Sequence, residues 1–273
     1  MTKIIPQHIN ITNEDMAGNN GVGRYVILAG SDERARNISE HFNNAVVKHH
    51  PRQHNLYLGT LAMSGQTIDV ASISTGMGGA SADIIINELI LSGARRLLRI
   101  GTAGSLQPNQ IKAGQVVTAT GAVRDDKASW DYIYPEYPAM ASLEYVIAAG
   151  RAANQQPELK NYFGLVHSKS SLYAREYQLS LLPENEQYMN SMRQAGVLAS
   201  EMECAQLFTL CSLMGYRLKT NILAGAILAI VGDRTSFSTN HKLIAKATQE
   251  AITLGLETTR QLALIDQQVK ALF

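Results

Sequence analysis

The stretch YVILAGSDERARNISEHF, residues 25–42, contains a complete strand–turn–helix unit. Five apolar residues lead to Gly30, which is the pattern of a strand buried on both faces. The residues that follow have the apolar spacing of a helix, so a helix is predicted over 33–42. Strands that lead through a short turn into helices are typical of α/β proteins.

The alternation of strands and helices continues along the whole chain. Further short apolar runs bounded by Gly, Ser or Asp predict buried strands at 68–74, 97–100, 116–123 and 222–231. Helical patterns lie between or after them, at 81–92, 143–154, 201–214 and about 242–264. We therefore predict an α/β fold in which a central mixed β-sheet is flanked by helices.

The chain is long enough to bury one large core, and nothing in the sequence divides it. Its 273 residues lie within the range of a single α/β domain. Pro135 and Pro138 mark an extended loop before a helix, and the segment 182–185 marks a second irregular region. Both are interpreted as excursions from one core rather than as linkers, so residues 1–273 are predicted to form one domain.

Composition and charge exclude several classes of function. A formal net charge of +1 lacks the basic excess expected of a nucleic-acid-binding protein. No run is long and apolar enough to span a bilayer, and the first 20 residues lack the apolar core of a signal peptide, so a cytoplasmic protein is predicted. Cys204 and Cys211 are expected to be small buried side chains rather than a disulfide or a metal site.

Polar residues stand at strand ends, where ligands gather in α/β proteins. Gly30 ends the first strand and Arg34 lies in the first turn of the next helix, where an anion can approach main-chain N–H groups. Arg99 is embedded in an apolar strand and needs a partner, for which an oxyanion and an internal carboxylate are equally good candidates. Thr102 adds a hydroxyl donor, and Gly101 leaves room for main-chain amides to face a ligand. These residues predict an anion site, with a solvated Arg34 in an ordinary turn as the alternative.

Two acidic residues and one charged pair are further candidates for ligand binding. Glu201 and Glu203 are predicted to open a helix with Ser200 as its N-cap. Their different directions would let one carboxylate face a ligand while the other holds a loop, and a carboxylate suits two vicinal hydroxyl groups such as those of ribose. Asp233 and Arg234 follow the last buried strand, so they could converge with the polar residues at the other strand ends. The alternative is a capping Asp with a surface Arg.

The ordered set of motifs resembles the nucleoside phosphorylase family that contains uridine phosphorylase and the hexameric purine nucleoside phosphorylases. The matching segments run nearly from end to end of the chain. They are HINIT with His8, GSDER, PRQHNLYLGT with Arg52, STGMGG, RIGTAG, VRDDKASWDYIYPEYPA, EME and DRT. The region from VRDDKAS to the helix at 143 is most similar to the uridine phosphorylase branch.

The resemblance implies a reaction and a set of site residues. The reaction is phosphorolysis of a ribonucleoside, with uridine and phosphate giving uracil and ribose 1-phosphate. Phosphate binding is implied for Gly30, Arg34, Arg99, Thr102 and, from a neighbouring subunit, Arg52. Ribose binding is implied for Met202, Glu203 and the neighbour's His8. Base binding is implied for Tyr173, Arg175, Gln178, Asp233 and Arg234. Catalytic roles are implied for Arg99, Glu203 and Arg234.

The resemblance also implies an assembly and a co-substrate. His8 and Arg52 would complete the site of a neighbouring subunit, with residues 1–20 at the interface. A homodimer is then the minimum active unit, and a homohexamer is the usual assembly. Inorganic phosphate is the co-substrate, and no cofactor is implied. Gln53 stands where some uridine phosphorylases have an acid that binds potassium, so no metal is predicted.

The chain departs from the family at the residues that read the base. Uridine phosphorylases carry Phe-Tyr followed by Gly-Gln-x-Arg, whereas the stretch here is SLYAREYQ, and Arg175, Glu176 and Gln178 are all open as base contacts. Asp233 stands near the position of an acid that protonates the base in purine phosphorylases, and Ser31 replaces the Asp that usually follows the phosphate-loop glycine. Purine nucleoside phosphorylase is therefore the alternative activity. A nucleosidase and a nucleoside-binding protein without turnover are alternatives of other classes.

Overall fold

The computed structural model describes residues 5–63, 65–233 and 238–270, and at 233 and 270 it describes the main chain. The strands are β1 Tyr25–Ala29, β2 Asn43–Lys48, β3 Leu56–Met63, β4 Gln66–Ser74, β5 Arg96–Ser105, β6 Val116–Asp125, β7 Ala139–Met140, β8 Asn161–Lys169, β9 Ala199–Glu201 and β10 Leu223–Asp233. The helices are α1 Asn13–Met16, α2 Asp32–Ser39, α3 Gly79–Leu91, α4 Lys127–Trp130, α5 Leu143–Asn154, α6 Leu172–Glu176, α7 Asn185–Gln194, α8 Cys204–Leu218 and α9 His241–Lys270.

The strands of the described residues belong to one mixed sheet that partly closes on itself. From its outer edge the order is β2-β3-β4-β1-β5, with β1 parallel to both β4 and β5. β5 is also parallel to β10, and the path β10-β6-β8-β9 leads back to the end of β5. Because β10 runs antiparallel to β6, the sheet is mixed, and the predicted α/β fold is confirmed.

One edge of β5 has a gap between two partner strands. On one side, β10 pairs with β5 from Arg96 to Ser105. On the other side, β1 pairs only as far as Arg99, and β9 pairs from Gly104 onward. Residues 100–103 therefore have no strand partner on that side in the described sheet. This opening is the kind of place where ligands bind in α/β sheets.

Helices cover both faces of the sheet. Val26 and Leu28 of β1 point into the core under α3 and α8, whereas Ile27 and Ala29 point into the core under α2, α5 and α9. Alternate residues of a strand face opposite sides, so a strand buried on both sides must be apolar throughout. No helix within the described ranges is long and apolar enough to cross a membrane.

Helix α8 begins later than the sequence predicted. Ala199–Glu201 pair with β5 and β8 as strand β9, so the helix starts at Cys204 and Ser200 is not its N-cap. The N-cap is Glu203. The carboxylate of Glu201 accepts the main-chain N–H groups of Glu203 at 2.8 Å and Cys204 at 3.0 Å. An acid one turn before the helix thus satisfies donors that the helix start leaves free.

Candidate functional site

A cavity of about 270 Å³ opens at the gap beside β5. Five strand ends contribute to its lining, through Gly30, 102–104, Lys169, Glu201 and 231–232. The loops and helices that follow these strands supply Ser31, Arg34, Leu172, Glu176, Tyr177, Met202 and Glu203, and the loop after β4 supplies Met77. Arg99 and Ser200 complete the lining. A cavity of this size fits a small ligand.

Arg99 is one of two buried cations that line this cavity. Its Nη2 donates to Oε2 of Glu203 at 2.5 Å, and its Nε lies 3.6 Å from Oε2 of Glu201. Burial alone would lower the pKa of Arg99, but the two carboxylates outweigh burial and raise it. Its Nε and Nη1 are buried and make no hydrogen bond to any described residue. Arg99 therefore has the internal carboxylate partners that the sequence allowed and also retains donors for an oxyanion.

Arg34 brings a second guanidinium to the same place. It lies in the first turn of α2, where the Ser31 side chain caps the helix by accepting the N–H of Arg34 at 3.3 Å. Burial lowers the pKa of Arg34, and the charge of Arg99 lowers it further, while Glu203 opposes the shift. Two like charges that repel across a partly buried site favour an anion between them. Gly30 and Thr102 line the cavity beside them, so the predicted anion-binding residues do come together.

Glu203 connects Arg99 to the glycine-rich turn after β4. Its Oε1 accepts the N–H of Gly78 at 2.6 Å, and Gly78 has a φ of +85°, which favours glycine. Burial raises the pKa of Glu203, and the charge of Arg99 opposes this shift. Met202 lines the cavity beside Glu203, and Met77 enters the lining from the same turn as Gly78. Met77 lies in the STGMGG motif, but sequence reasoning gave it no role in the site.

A buried ion pair lies in the wall formed by β8 and α6. Nζ of Lys169 is 2.7 Å from Oε1 of Glu176, and Lys169 is only 2% exposed. The same Nζ donates to Oγ of Ser200 at 2.9 Å and to the main-chain oxygen of Glu201 at 3.4 Å. Sequence reasoning missed Lys169 because it did not predict strand β8, which ends at this residue.

Arg175 lies outside the cavity lining although it is next to Glu176. Its guanidinium donates to both carboxylate oxygens of Asp125, at 2.6 and 2.7 Å, and to Oδ1 of Asn185 at 2.8 Å. It also stacks on the ring of Tyr188, with 4.4 Å between Cζ and the ring centre. These contacts hold α6 against β6 and α7. Tyr173 and Gln178 are exposed and do not line the cavity either.

His8 and Arg52 also lie away from the cavity of their own chain. Nδ1 of His8 is 2.7 Å from Oε1 of Glu88, which also accepts the main-chain N–H of His8. Arg52 is exposed in the turn between β2 and β3. The main chain of Asp233 ends β10 next to Gly232, which lines the cavity, whereas Arg234 lies outside the described residues.

The buried Arg99, the half-buried Arg34 and the carboxylate of Glu203 meet at the strand ends, an arrangement that suits a small anion and a hydroxyl-bearing ligand. The model of the phosphorylase superfamily matches residues 24–262 of this chain, so the chain belongs to that superfamily.

Individual relatives are similar over most of the chain. The uridine phosphorylase of Treponema pallidum is 34% identical over 248 residues, which are 90% of this chain and 92% of that protein. A crystal structure of uridine phosphorylase from Vibrio fischeri has a TM-score of 0.73 at 30% identity and covers 89% of this chain and 95% of its own. A purine nucleoside phosphorylase of Plasmodium vivax is 32% identical over 197 residues, covering 70% of this chain and 74% of that protein.

Proposed function

We propose that this chain is a pentosyltransferase that cleaves uridine with inorganic phosphate, giving uracil and ribose 1-phosphate. One observation carries the proposal: Arg34 and Arg99 meet Glu203 in a single cavity, and two buried nitrogens of Arg99 remain without a hydrogen-bond partner among the described residues. Membership of the phosphorylase superfamily supports the reaction, and the similarity to uridine phosphorylases supports the base.

One group of cavity residues would bind the phosphate nucleophile in this reaction. Gly30, Arg34, Arg99 and Thr102 would hold phosphate so that one of its oxygens bonds to C1′ of the ribose as the bond from C1′ to the base breaks. The base leaves with the electron pair of that bond. Positive charge then develops on the ribose, and the bound phosphate stabilises it at close range. A phosphate nucleophile makes a nucleophilic side chain or a further cofactor unnecessary in this proposal.

Glu203 would bind the ribose hydroxyl groups, with Met202 packing on the sugar. Each carboxylate oxygen of Glu203 already accepts one hydrogen bond, from Gly78 or from Arg99. A carboxylate oxygen has two lone-pair sites, so each can accept a further bond from a hydroxyl. The position of Glu203 beside Arg99 supports this role because it would place the ribose next to the bound phosphate.

We further propose a homodimer as the minimum active unit and a homohexamer as its assembly. Arg52 is exposed on its own chain, which suits a residue that reaches a neighbour's phosphate site. His8 and the segment 1–20 would lie at the same interface. The proposed setting is the cytoplasm, where a nucleoside phosphorylase serves nucleoside salvage, and cell fractionation tests it.

A single assay tests the proposed reaction. The protein is incubated with uridine, thymidine, inosine or adenosine, with and without phosphate, and release of the base is followed by chromatography. The proposal expects uracil and ribose 1-phosphate in equal amounts, and only when phosphate is present. Base release without phosphate would indicate a nucleosidase, and tight binding without turnover would indicate a binding protein.

Purine nucleoside phosphorylase is the second candidate. The similarity to the Plasmodium vivax enzyme favours it, as does the position of Asp233 at the end of β10 beside the cavity. In the same assay this alternative expects faster phosphorolysis of inosine or adenosine than of uridine.

A further inference from the structure

The ion pair of Lys169 and Glu176 faces a different part of the cavity from the arginines. Glu201 stands between the two groups of charges. Its carboxylate Oε2 lies 3.6 Å from Nε of Arg99, while its main-chain oxygen accepts from Nζ of Lys169. If phosphate and ribose occupy the side of Arg99 and Glu203, the base extends toward Lys169 and Glu176.

The carboxylate of Glu176 can accept further hydrogen bonds from a ligand. Its side chain is buried, and apart from the ion pair with Lys169 no hydrogen bond to it is found among the described residues. A buried carboxylate in a cavity wall has more acceptor sites than the donors of one ammonium group satisfy. The contact of Lys169 with the Glu201 oxygen is long at 3.4 Å, so this N–H can turn toward a ligand oxygen.

The surroundings fix the orientation of this pair. Lys169 donates to Ser200, whose Oγ is 2.9 Å from Nδ1 of the buried His167. Nε2 of His167 is 3.1 Å from the Asp125 carboxylate that binds Arg175. Arg175 precedes Glu176 on α6, so the clamp on Arg175 turns the neighbouring Glu176 to the cavity. Arg175 is therefore a positioning residue, and Glu176 is the residue presented to the ligand.

We propose that Glu176 and Lys169 determine which base is accepted, by reading an N–H group next to a carbonyl group. This inference rests on the proposed function and deepens it. Glu176 accepts the N–H of the base, and Lys169 donates to the adjacent carbonyl oxygen. Uracil and thymine present this edge at N3–H with a carbonyl on either side. Cytosine in the same pose turns the lone pair of N3 toward the carboxylate, so two hydrogen-bond acceptors face each other with no donor between them.

The pair also suits the departing base. Negative charge that develops on the base during cleavage is delocalised onto its carbonyl oxygens. Lys169 would stabilise that charge through its hydrogen bond to one of them. The carboxylate of Glu176 disfavours a base that presents an acceptor in place of the N–H group. In general, a site that hydrogen-bonds a substrate N–H rejects an analogue that lacks this group.

The test compares uridine and cytidine in the Glu176→Gln variant. A glutamine can turn its NH₂ group toward N3 of cytosine, so the preference for uridine over cytidine should fall by about tenfold or more, as expected for one charged hydrogen bond. The KM for phosphate should stay within about twofold of the wild-type value, because the phosphate residues are untouched. Glu184→Gln, at an exposed glutamate before α7, is the matched control and should change neither quantity.

Two further measurements make the outcome decisive. Calorimetric binding of uridine and cytidine needs no turnover, so a preference that depends on Glu176 would support this inference even if the chain proved not to be a phosphorylase. If the wild-type protein turns over uridine and a folded Glu176→Gln variant keeps the full preference, this inference alone is overturned. Should that variant not fold, the double variant Lys169→Met with Glu176→Leu removes both charges together, and a retained preference there would overturn it equally.

Discussion

The guanidinium of Arg99 lies so close to the main chain of Gly101 that a Cβ atom at residue 101 would be 2.9 Å from Nη2 and 3.0 Å from Nε. On its other side this atom would meet Cδ2 of Leu228 at 3.0 Å. Gly101 therefore leaves room for an arginine side chain, whereas the sequence suggested room for main-chain amides that face a ligand.

Gly101→Ala should move the Arg99 guanidinium and weaken the phosphate site. We expect kcat/KM for phosphate to fall by about 10- to 100-fold, since small misplacements of a binding group have effects of that size. Overpacking should also reduce the free energy of unfolding by about 1–3 kcal/mol. Steady-state kinetics and urea unfolding measure the two effects. The control is Gly150→Ala in α5, where an added methyl group meets nothing within 4 Å and should stabilise the helix by about 0.5–1 kcal/mol without changing activity.

Arg34→Met should weaken phosphate binding, and this effect can be measured without turnover. Phosphate that binds only the folded protein raises its stability, by about 2.7 kcal/mol at 100 times the dissociation constant. We expect the variant to lose about 1.4 kcal/mol of this phosphate-dependent stabilisation for each tenfold loss of affinity. Thermal unfolding with and without phosphate measures it. Arg36→Met changes an exposed arginine of the same helix and should retain the full effect, so an equal loss in both variants would argue against the assigned site.

Arg52 and Arg34 should complement each other between subunits. If Arg52 completes a neighbour's site, Arg52→Ala and Arg34→Ala should each abolish most activity. Mixed oligomers of the two variants should then recover about one quarter of the wild-type activity, because half of randomly paired dimers hold one intact site of two. Co-expression of the two variants in equal amounts, without separation of the mixed species, gives this random mixture. Mixed oligomers without any recovery would show that Arg52 does not act in a neighbour's site.

The contributions of Asp125 and Asp126 to the free energy of unfolding should change with pH in opposite directions. Burial on its own would raise the pKa of Asp125, but hydrogen bonds from His167 and Arg175 outweigh it and hold the pKa below 3.8. The stabilisation by Asp125 is therefore complete above pH 3.8 and is lost as the pH falls through the pKa of the folded protein. Asp125→Asn should cost about 2 kcal/mol or more at pH 7, and this cost should shrink in acid.

For Asp126, burial is the main cause of a pKa above 3.8, although hydrogen bonds from Ser129 oppose it. Its ionisation destabilises the folded protein as the pH rises from 3.8 through the raised pKa. Asp126→Asn should therefore become more favourable relative to the wild type as the pH rises, whereas Asp125→Asn becomes less favourable. Urea unfolding between pH 3 and pH 7 compares the two, and the same pH trend in both variants would contradict the assigned networks.

The parts of the fold that the sequence predicted well are those with a continuous apolar signal. β1 and α5 have the predicted bounds, and the free cysteines Cys204 and Cys211 are buried as expected. The sequence did not predict strands that are only partly buried or very short. The first half of β8 is only partly buried, and β9 has three residues, so neither shows a readable period.

The side of the cavity that carries Glu176 was the hardest part to predict. Arg175 and Glu176 are adjacent on a helix of five residues, and local spacing cannot decide which of them faces the cavity. Asp125 decides it by binding Arg175 from 50 positions earlier in the chain. The cavity-lining positions of Gly30 and Arg99 were easier to predict, because an arginine inside an apolar strand and a glycine at a strand end are visible without knowledge of the fold.

The two sides of the cavity are held by separate parts of the molecule, and this separation bears on how such a protein can diverge. Arg99 is carried by β5, which is paired along its length within the sheet, whereas Glu176 is carried by a single turn of helix clamped through the Asp125–Arg175 ion pair. We therefore expect mutations in that turn to leave the position of Arg99 unchanged. A library that varies Leu172, Glu176 and Tyr177 alone is therefore the most direct route to an altered base preference.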